Sequence, residues 1–384
     1  MPSTPDLLSP PGDPSWPDLD RVAVREPVRA ALAAPRAEVT RWSVEPVHGG
    51  LDKTSAVYRV RGAARVGGQA RPWSVILKVF RPAGGREDPA GAFYWRREAL
   101  AYTSGVLDGL PGGLRAARCF GAEERPGAVW LWLEHVAGAP GTEWSRQQTL
   151  EAVRRLGAFS GASAAGRPLP SPPWLPHSWH RAWAAATAPY LPRLRAEPDH
   201  PLVRAGWPDD LYPAALRFWE EDLPRFLEAM DRLPQALQHG DPSSRNLFRC
   251  ADPLAATGET VAIDWAWLNV SAIGADLAKL VNGVASGARE AYVGEVVEAY
   301  AAGMRDAGWR GETAHVRLGY LLATAEHYLA HPWMLALLDE DEQAQAERGR
   351  GMPVEEFMRR LSGVVRRGLG AAEAARALLA RGLV

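Results

Sequence analysis

The chain has 384 residues, 47% of them hydrophobic, and its 44 basic and 45 acidic residues leave a net charge of −1. That length supports two lobes with a shared or split core, and the balanced charge removes any general electrostatic attraction to nucleic acid or to an anionic membrane. The two cysteines, Cys119 and Cys250, are too few for a disulfide framework or a four-ligand zinc site, which suits a reducing cytosol.

Residues 1–21 carry six prolines within the first 17 positions and read as an irregular arm. They lack the basic flank and apolar stretch of a secretory signal, and no apolar run approaches the roughly 18 residues of a membrane span. A soluble, cytoplasmic protein is expected, with ordered structure from about Val22. RWSVEPV, VYRVRGAARV and RPWSVILKVF, separated by glycine-bearing turns, predict three antiparallel strands. AFYWRREALAYTSGVL has helical spacing that turns Tyr94, Leu100 and Ala101 inward and leaves Arg96, Arg97 and Glu98 around them. LRAARCFGAEE and GAVWLWLEHV complete five strands, and AGAPG marks the boundary between a small lobe over 22–136 and a larger, mainly helical lobe over 137–384.

Helices dominate from Ser145, which has capping-box spacing with Gln148. Residues 166–213, rich in proline and tryptophan, read as a packed irregular insertion of the kind that lines substrate sites; Trp174, Trp179 and Trp183 are its candidates to flank a substrate. Two short strands follow, in NLFRC and TVAID, and helices run from about Ala275 to the end.

The residues able to do chemistry cluster in three places. HGDPSSRN sets Asp241 and Asn246 five positions apart at the mouth of a short strand, and TVAIDW ends a second strand at Asp264. A hairpin of this kind supplies hard oxygen ligands for magnesium and one carboxylate free to accept a hydroxyl proton, the polar set of phosphoryl transfer. The structural alternative makes Asp241 a helix N-cap ahead of Pro242. Lys78 lies within the apolar strand VILKVF, where an ammonium is costly without partners. Lysine is scarce here, with only Lys53, Lys78 and Lys279 against 41 arginines, so a strand lysine suggests a compact charge is needed there. The alternative is a lysine whose head reaches solvent. Glu98, 20 residues on, can pair with that ammonium, although a lone glutamate among arginines is more often a surface charge. HGGLDKTSAVYRV is a glycine-containing turn able to offer backbone amides and the Ser55 hydroxyl to phosphate, or a plain hairpin.

In this order the elements resemble the aminoglycoside phosphotransferase family, within the kinase-like group that includes choline kinases. The resemblance spans roughly residues 41–280 and rests on HGDPSSRN and IDW, supported by ILKVF and GADLAKL. It implies an α+β, bilobal protein-kinase-like fold: a small lobe with a five-stranded antiparallel sheet plus a helix, and a larger helical lobe. It implies ATP or GTP as donor, Mg²⁺, and a small-molecule hydroxyl as acceptor. Asp241 would be the catalytic base, Asn246 and Asp264 the metal ligands, Lys78 the phosphate contact and Glu98 its orienting partner. The Glu134 carbonyl and Val136 amide would hold the adenine edge, and Asp276 would brace the catalytic loop.

Departures from protein kinases matter too. HGD and IDW stand for His-Arg-Asp and Asp-Phe-Gly, nine residues separate Asp264 from Gly274, and Ser243 occupies the position where protein kinases place a lysine. Arg245 is the nearest candidate to compensate. The expectation is a constitutively competent small-molecule kinase; the alternatives are a non-catalytic nucleotide-binding module or a protein kinase. Glu326, Asp339, Glu340, Asp341 and Glu342 form acidic patches of the sort a cationic acceptor wants, while His327 and His331 read as structural residues and His177 and His180 as surface or packing residues.

Overall fold

The computed structural model describes residues 19–47, 55–208, 210–250, 258–281, 289–329 and 353–384. The turn at residues 48–54, Asp339 to Glu342, His331 and the first 18 residues lie outside them. Helix α1, Arg21–Ala31, starts one residue earlier than expected because the Asp20 carboxylate accepts the Ala23 amide at 2.8 Å, capping an otherwise orphaned donor.

Strands β1 (Glu38–Pro46), β2 (Ser55–Val66), β3 (Gln69–Phe80), β5 (Cys119–Arg125) and β6 (Ala128–Glu134) form an antiparallel sheet in the order β1-β2-β3-β6-β5. Period-two alternation gives each strand two unlike faces. Trp73, Val75, Leu77 and Val79 of β3 join Trp130 and Trp132 of β6 in one cluster with Val24 and Val28 of α1. Ile76 and Phe80 join Val129, Leu131 and Leu133 in another. Lys78 is opposite Leu131 and shares this second face. The second face is covered by α2, Arg97–Thr103.

Two expectations need correction. The stretch LRAARCFGAEE is two strands: β4 (Leu114–Ala116) leaves the five-stranded sheet and pairs parallel with β10 (Glu259–Ala262), in a second sheet ordered β4-β10-β9-β7, with β9 at Leu247–Cys250 and β7 at Ala139–Pro140. The α2 helix is shorter than the pattern suggested, and its polar residues are inside. Arg97 and Glu98 are buried with Ala99 and Ala101, while Tyr94 and Leu100 are half-buried. The helix lies between two cores, Ala99 in the sheet cluster and Ala101 in that of the large lobe, which leaves only Thr103 exposed.

The larger lobe holds the main core, built from helices that include Arg146–Ala164, Trp179–Thr187, Leu277–Leu280 and Thr313–Leu329. Ser145 and Gln148 form the expected capping box. The strand β8, Gln235–Gln238, pairs with β11, Asn269–Ala272, and carries the chain into HGD. Trp174, Trp179 and Trp183 belong to this core. No helix among the described residues is long and apolar enough to cross a membrane.

Candidate active site

Lys78 and Glu98 meet as the shared sheet face requires. The ammonium donates to both Glu98 oxygens at 2.7 Å and to Asp264 Oδ1 at 3.0 Å. Lys78 is only 8% exposed and Glu98 only 2%, so neither the solvent-reaching lysine nor the surface glutamate describes this site. Burial acts to lower the Lys78 pKa, but Asp264 and Glu98 outweigh it and the net shift is upward. The ammonium is a permanent charge. Its field, working against burial, holds the Asp264 carboxyl below the ordinary aspartate value.

Asp264, two residues past the end of β10, has φ 65 and ψ 63, one of two left-handed non-glycine residues among those described. Such a conformation costs on the order of 1–3 kcal/mol and collects at functional sites. Here it turns the chain out of β10 so that the carboxylate faces Lys78. Its side chain retains 44% exposure, open to the space between the lobes.

The HGD loop is braced from behind. His239 is wholly buried, and burial pushes its pKa down to about 4, so the ring is neutral. Its Nδ1 accepts the Asp241 amide at 3.2 Å, which leaves Nε2 to donate to the Ile263 carbonyl at 3.0 Å. One ring thereby ties the loop to the residue before Asp264. Asp276 accepts the His239 and Gly240 amides at 3.0 and 2.8 Å, the bracing position expected for it, and burial raises its pKa to about 7. Gly240 has φ +88, and a Cβ there would lie 2.0 Å from the Trp267 carbonyl oxygen; only glycine fits.

Asn246 Nδ2 donates to the Asp241 carbonyl at 3.0 Å and to Asp241 Oδ2 at 3.1 Å, which turns its amide oxygen the other way. The Asn246 carbonyl accepts the Ile263 amide at 2.9 Å, so the asparagine sits beside the end of β10. Burial raises the Asp241 pKa, opposed first by Lys279. Asp241 is a loop residue in this network, with no helix begun at Pro242.

Ser55 opens β2 in register with Phe80, two residues from Lys78. Glu134 ends β6 and Val136 follows in the segment that leads to the large lobe. The Glu134 side chain is taken up by two arginines: Arg115 donates to it at 2.7 and 3.2 Å, the Arg118 amide at 3.0 Å, and Arg115 also reaches Glu259 at 2.7 Å. A cavity of about 510 Å³ lies here, lined by Arg115, Glu134, His135 and Cys250 among others. None of Lys78, Asp241 and Asp264 lines it, so its size is no argument for the reaction.

Three contributions were missed in the sequence. His239 stood within a quoted motif without a role. Arg97 is fully buried, and its guanidinium donates to the carbonyls of Trp174 at 3.1 Å, Ala92 at 2.9 Å and Ala266 at 3.4 Å, as well as that of Gly91, linking α2 to the turn after Asp264. Lys279 was marked only by the scarcity of lysine. Glu326, expected in an acidic patch suited to a cationic acceptor, is wholly buried and bonded to His180 at 3.0 Å.

A two-lobed α+β fold with a lysine–glutamate pair under its small sheet and three oxygen-bearing side chains around two loops of the large lobe defines a phosphotransferase of the protein-kinase-like class. The profile of the phosphotransferase enzyme family matches residues 43–313, and the chain belongs to that family, whose members transfer phosphate to an alcohol group. Among solved structures, the choline kinase of Cryptosporidium parvum Iowa II is similar at 11% identity over 87% of this chain and 92% of that one, with a TM-score of 0.51, which shows a common fold. Spectinomycin phosphotransferase APH(9)-Ia in complex with ADP and spectinomycin matches at 12% identity over 85% and 92%, TM-score 0.46. The macrolide 2'-phosphotransferase MphH of Brachybacterium faecium matches at 18% over 80% and 90%, TM-score 0.41. No curated protein sequence matches the chain.

Proposed function

We propose that this chain transfers the γ-phosphoryl group of ATP, with GTP as the other candidate donor, to a hydroxyl of a small molecule. The observation that carries the reading is the 3.0 Å contact between Lys78 and Asp264, residues 186 positions apart. It joins the lysine of the small lobe to the carboxylate of the large one. Glu98 orients Lys78 toward the phosphates, and Asp241 accepts the hydroxyl proton and aligns the nucleophile. Ser55 and the turn before it approach the phosphates; the Glu134 carbonyl and Val136 amide hold the base. In this reading residues 22–136 bind the nucleotide, and residues 137–384 carry the catalytic loop and the acceptor.

The donor set fits magnesium. Asp264 offers a partly exposed carboxylate and Asn246 an amide oxygen directed away from Asp241, both hard ligands. No group of three or more His, Cys, Asp and Glu side chains able to hold a metal gathers among the described residues, so phosphate oxygens and water would complete the shell. Bound there, Mg²⁺ would neutralise charge on the transferring phosphate.

The test is transfer from Mg·ATP to a panel of aminoglycosides, sugars, amino alcohols and macrolides by wild type and Asp241→Asn. Turnover with at least one acceptor, lost in the variant while Mg·ATP still raises its melting temperature, is the expected result. Undiminished turnover in the variant overturns the assignment of Asp241, and stabilisation without transfer to any acceptor makes the chain a nucleotide-binding module.

A further inference from the structure

Arg97 precedes Glu98 on α2 and is wholly buried, and no step of the transfer described above uses it. A guanidinium carries five N–H donors in a rigid planar fork and has no acceptor. Here the whole fork is engaged. Nε donates to the Trp174 carbonyl at 3.1 Å, one terminal nitrogen to the carbonyls of Ala92 at 2.9 Å and Ala266 at 3.4 Å, and the other to those of Pro89 at 3.3 Å and Gly91. None of these five partners is a carboxylate. Burial pushes the Arg97 pKa down to about 10, still far above neutrality, so the charge persists. A buried cation facing only neutral carbonyls is a costly way to fill space that an apolar side chain could fill; what sets this one apart is the set of segments that it joins.

Those segments are the run before α2, the large-lobe core at Trp174, and the short turn Trp265–Trp267 that follows Asp264. The last contact continues a series. Lys78 bonds Asp264 at 3.0 Å; burial works against the charged Glu98 carboxylate, while Lys78 and the Trp265 backbone amide favour it; Arg97 bonds the Ala266 carbonyl. Residues 264, 265 and 266 are thus engaged one after another by Lys78, Glu98 and Arg97. The turn is fixed on its other side too, where the Trp265 ring lies 4.3 Å from that of His239 and its Nε1 donates to the Ala262 carbonyl at 3.1 Å. A left-handed aspartate persists only where its surroundings over-determine the backbone, and the bond to Ala266, two residues on, is such a constraint.

We propose that Arg97 is a positioning residue of the transfer step: resting on the phosphotransfer reading above, it clamps α2 to the turn after Asp264 and so holds the Asp264 carboxylate in the orientation that meets Lys78 and the metal. It acts through Asp264 and Glu98 and leaves the nucleotide and the acceptor to other residues.

Arg97→Lys separates the fork from the charge, because an ammonium keeps the cation but has only three donors. At a temperature where wild type and variant are both fully folded, the Mg²⁺ concentration giving half-maximal ATP turnover should rise by about tenfold or more in Arg97→Lys. Loss of folded protein alone would lower the rate and leave that concentration where it was, so an unchanged Mg²⁺ dependence overturns the proposal. Arg97→Gln replaces the lysine variant where the latter does not fold. Native-state hydrogen exchange supplies a readout free of catalysis: in wild type the segments 97–103 and 265–268 should open together, and in Arg97→Lys the second should open first. A wild-type turn that opens independently of α2 overturns the proposal even if neither variant folds. A wild type that neither binds nor hydrolyses Mg·ATP removes the phosphotransfer reading instead, and hydrogen exchange then decides the clamp alone.

Discussion

Lys78 and Lys279 are one residue type handled in two ways. Lys78, in the small sheet, bonds to two carboxylates and its pKa is raised. Lys279, in the large lobe, is surrounded by indole and imidazole, and burial drives its pKa down to about 8. The first is held by two carboxylates, the second by aromatic rings. Scarcity of lysine marked both positions, but only the partners distinguish the uses.

The largest effect is expected away from both lysines, at Asp241. Asp241→Asn should lower turnover by about a thousandfold or more while leaving Mg·ATP stabilisation intact; a base removed from transfer costs roughly 10²–10⁴. Steady-state kinetics with nucleotide-dependent thermal shifts checks it. Lys78→Met should strand Glu98 and Asp264 and cost about 3–5 kcal/mol in denaturant unfolding, well beyond the loss from Lys279→Met. Equal losses for the two lysines would erase the distinction.

The bracing behind the loop gives two smaller effects. His239 has a folded pKa of about 4 against an ordinary 6.5, so the folded protein binds fewer protons than the unfolded chain between those values. Stability is complete above about 6.5 and is lost as pH falls toward 4, by on the order of 3 kcal/mol. Urea midpoints across that range should slope for wild type and flatten for His239→Gln. Asp276→Ala removes the acceptor of two loop amides and should cost about 2 kcal/mol, with kcat falling more than KM for ATP because the loop carrying Asp241 loosens. A KM effect alone would detach Asp276 from that loop.

Much of this site was legible because its members sit at strand ends and within short motifs. The apolar run VILKVF marked Lys78 as an ammonium in need of partners, and the spacing of HGDPSSRN and IDW implied a hairpin that brings Asp241, Asn246 and Asp264 together. What periodicity cannot reveal is a partner. Arg97 looked solvated because its burial depends on carbonyls from Gly91, Trp174 and Ala266, residues from three separate loops. Lys279 needed Trp183, Trp267 and His327, contributed by three other segments. The parallel pairing of Leu114–Ala116 with β10 was hidden for the same reason: residues 114–124 read as one continuous strand, and only the large lobe supplies an edge to take its first three residues.

That divided strand has a mechanical consequence. The backbone passes from small lobe to large at β4, returns at β5, and passes again after Glu134, so three strands of covalent chain span the boundary where one connector was expected. Arg115 clasps Glu134 on one side and Glu259 on the other. A protease cut in the segment after Glu134 would therefore leave two fragments with no covalent link, held together by the pairing of β4 with β10 and by the Arg115–Glu259 contact.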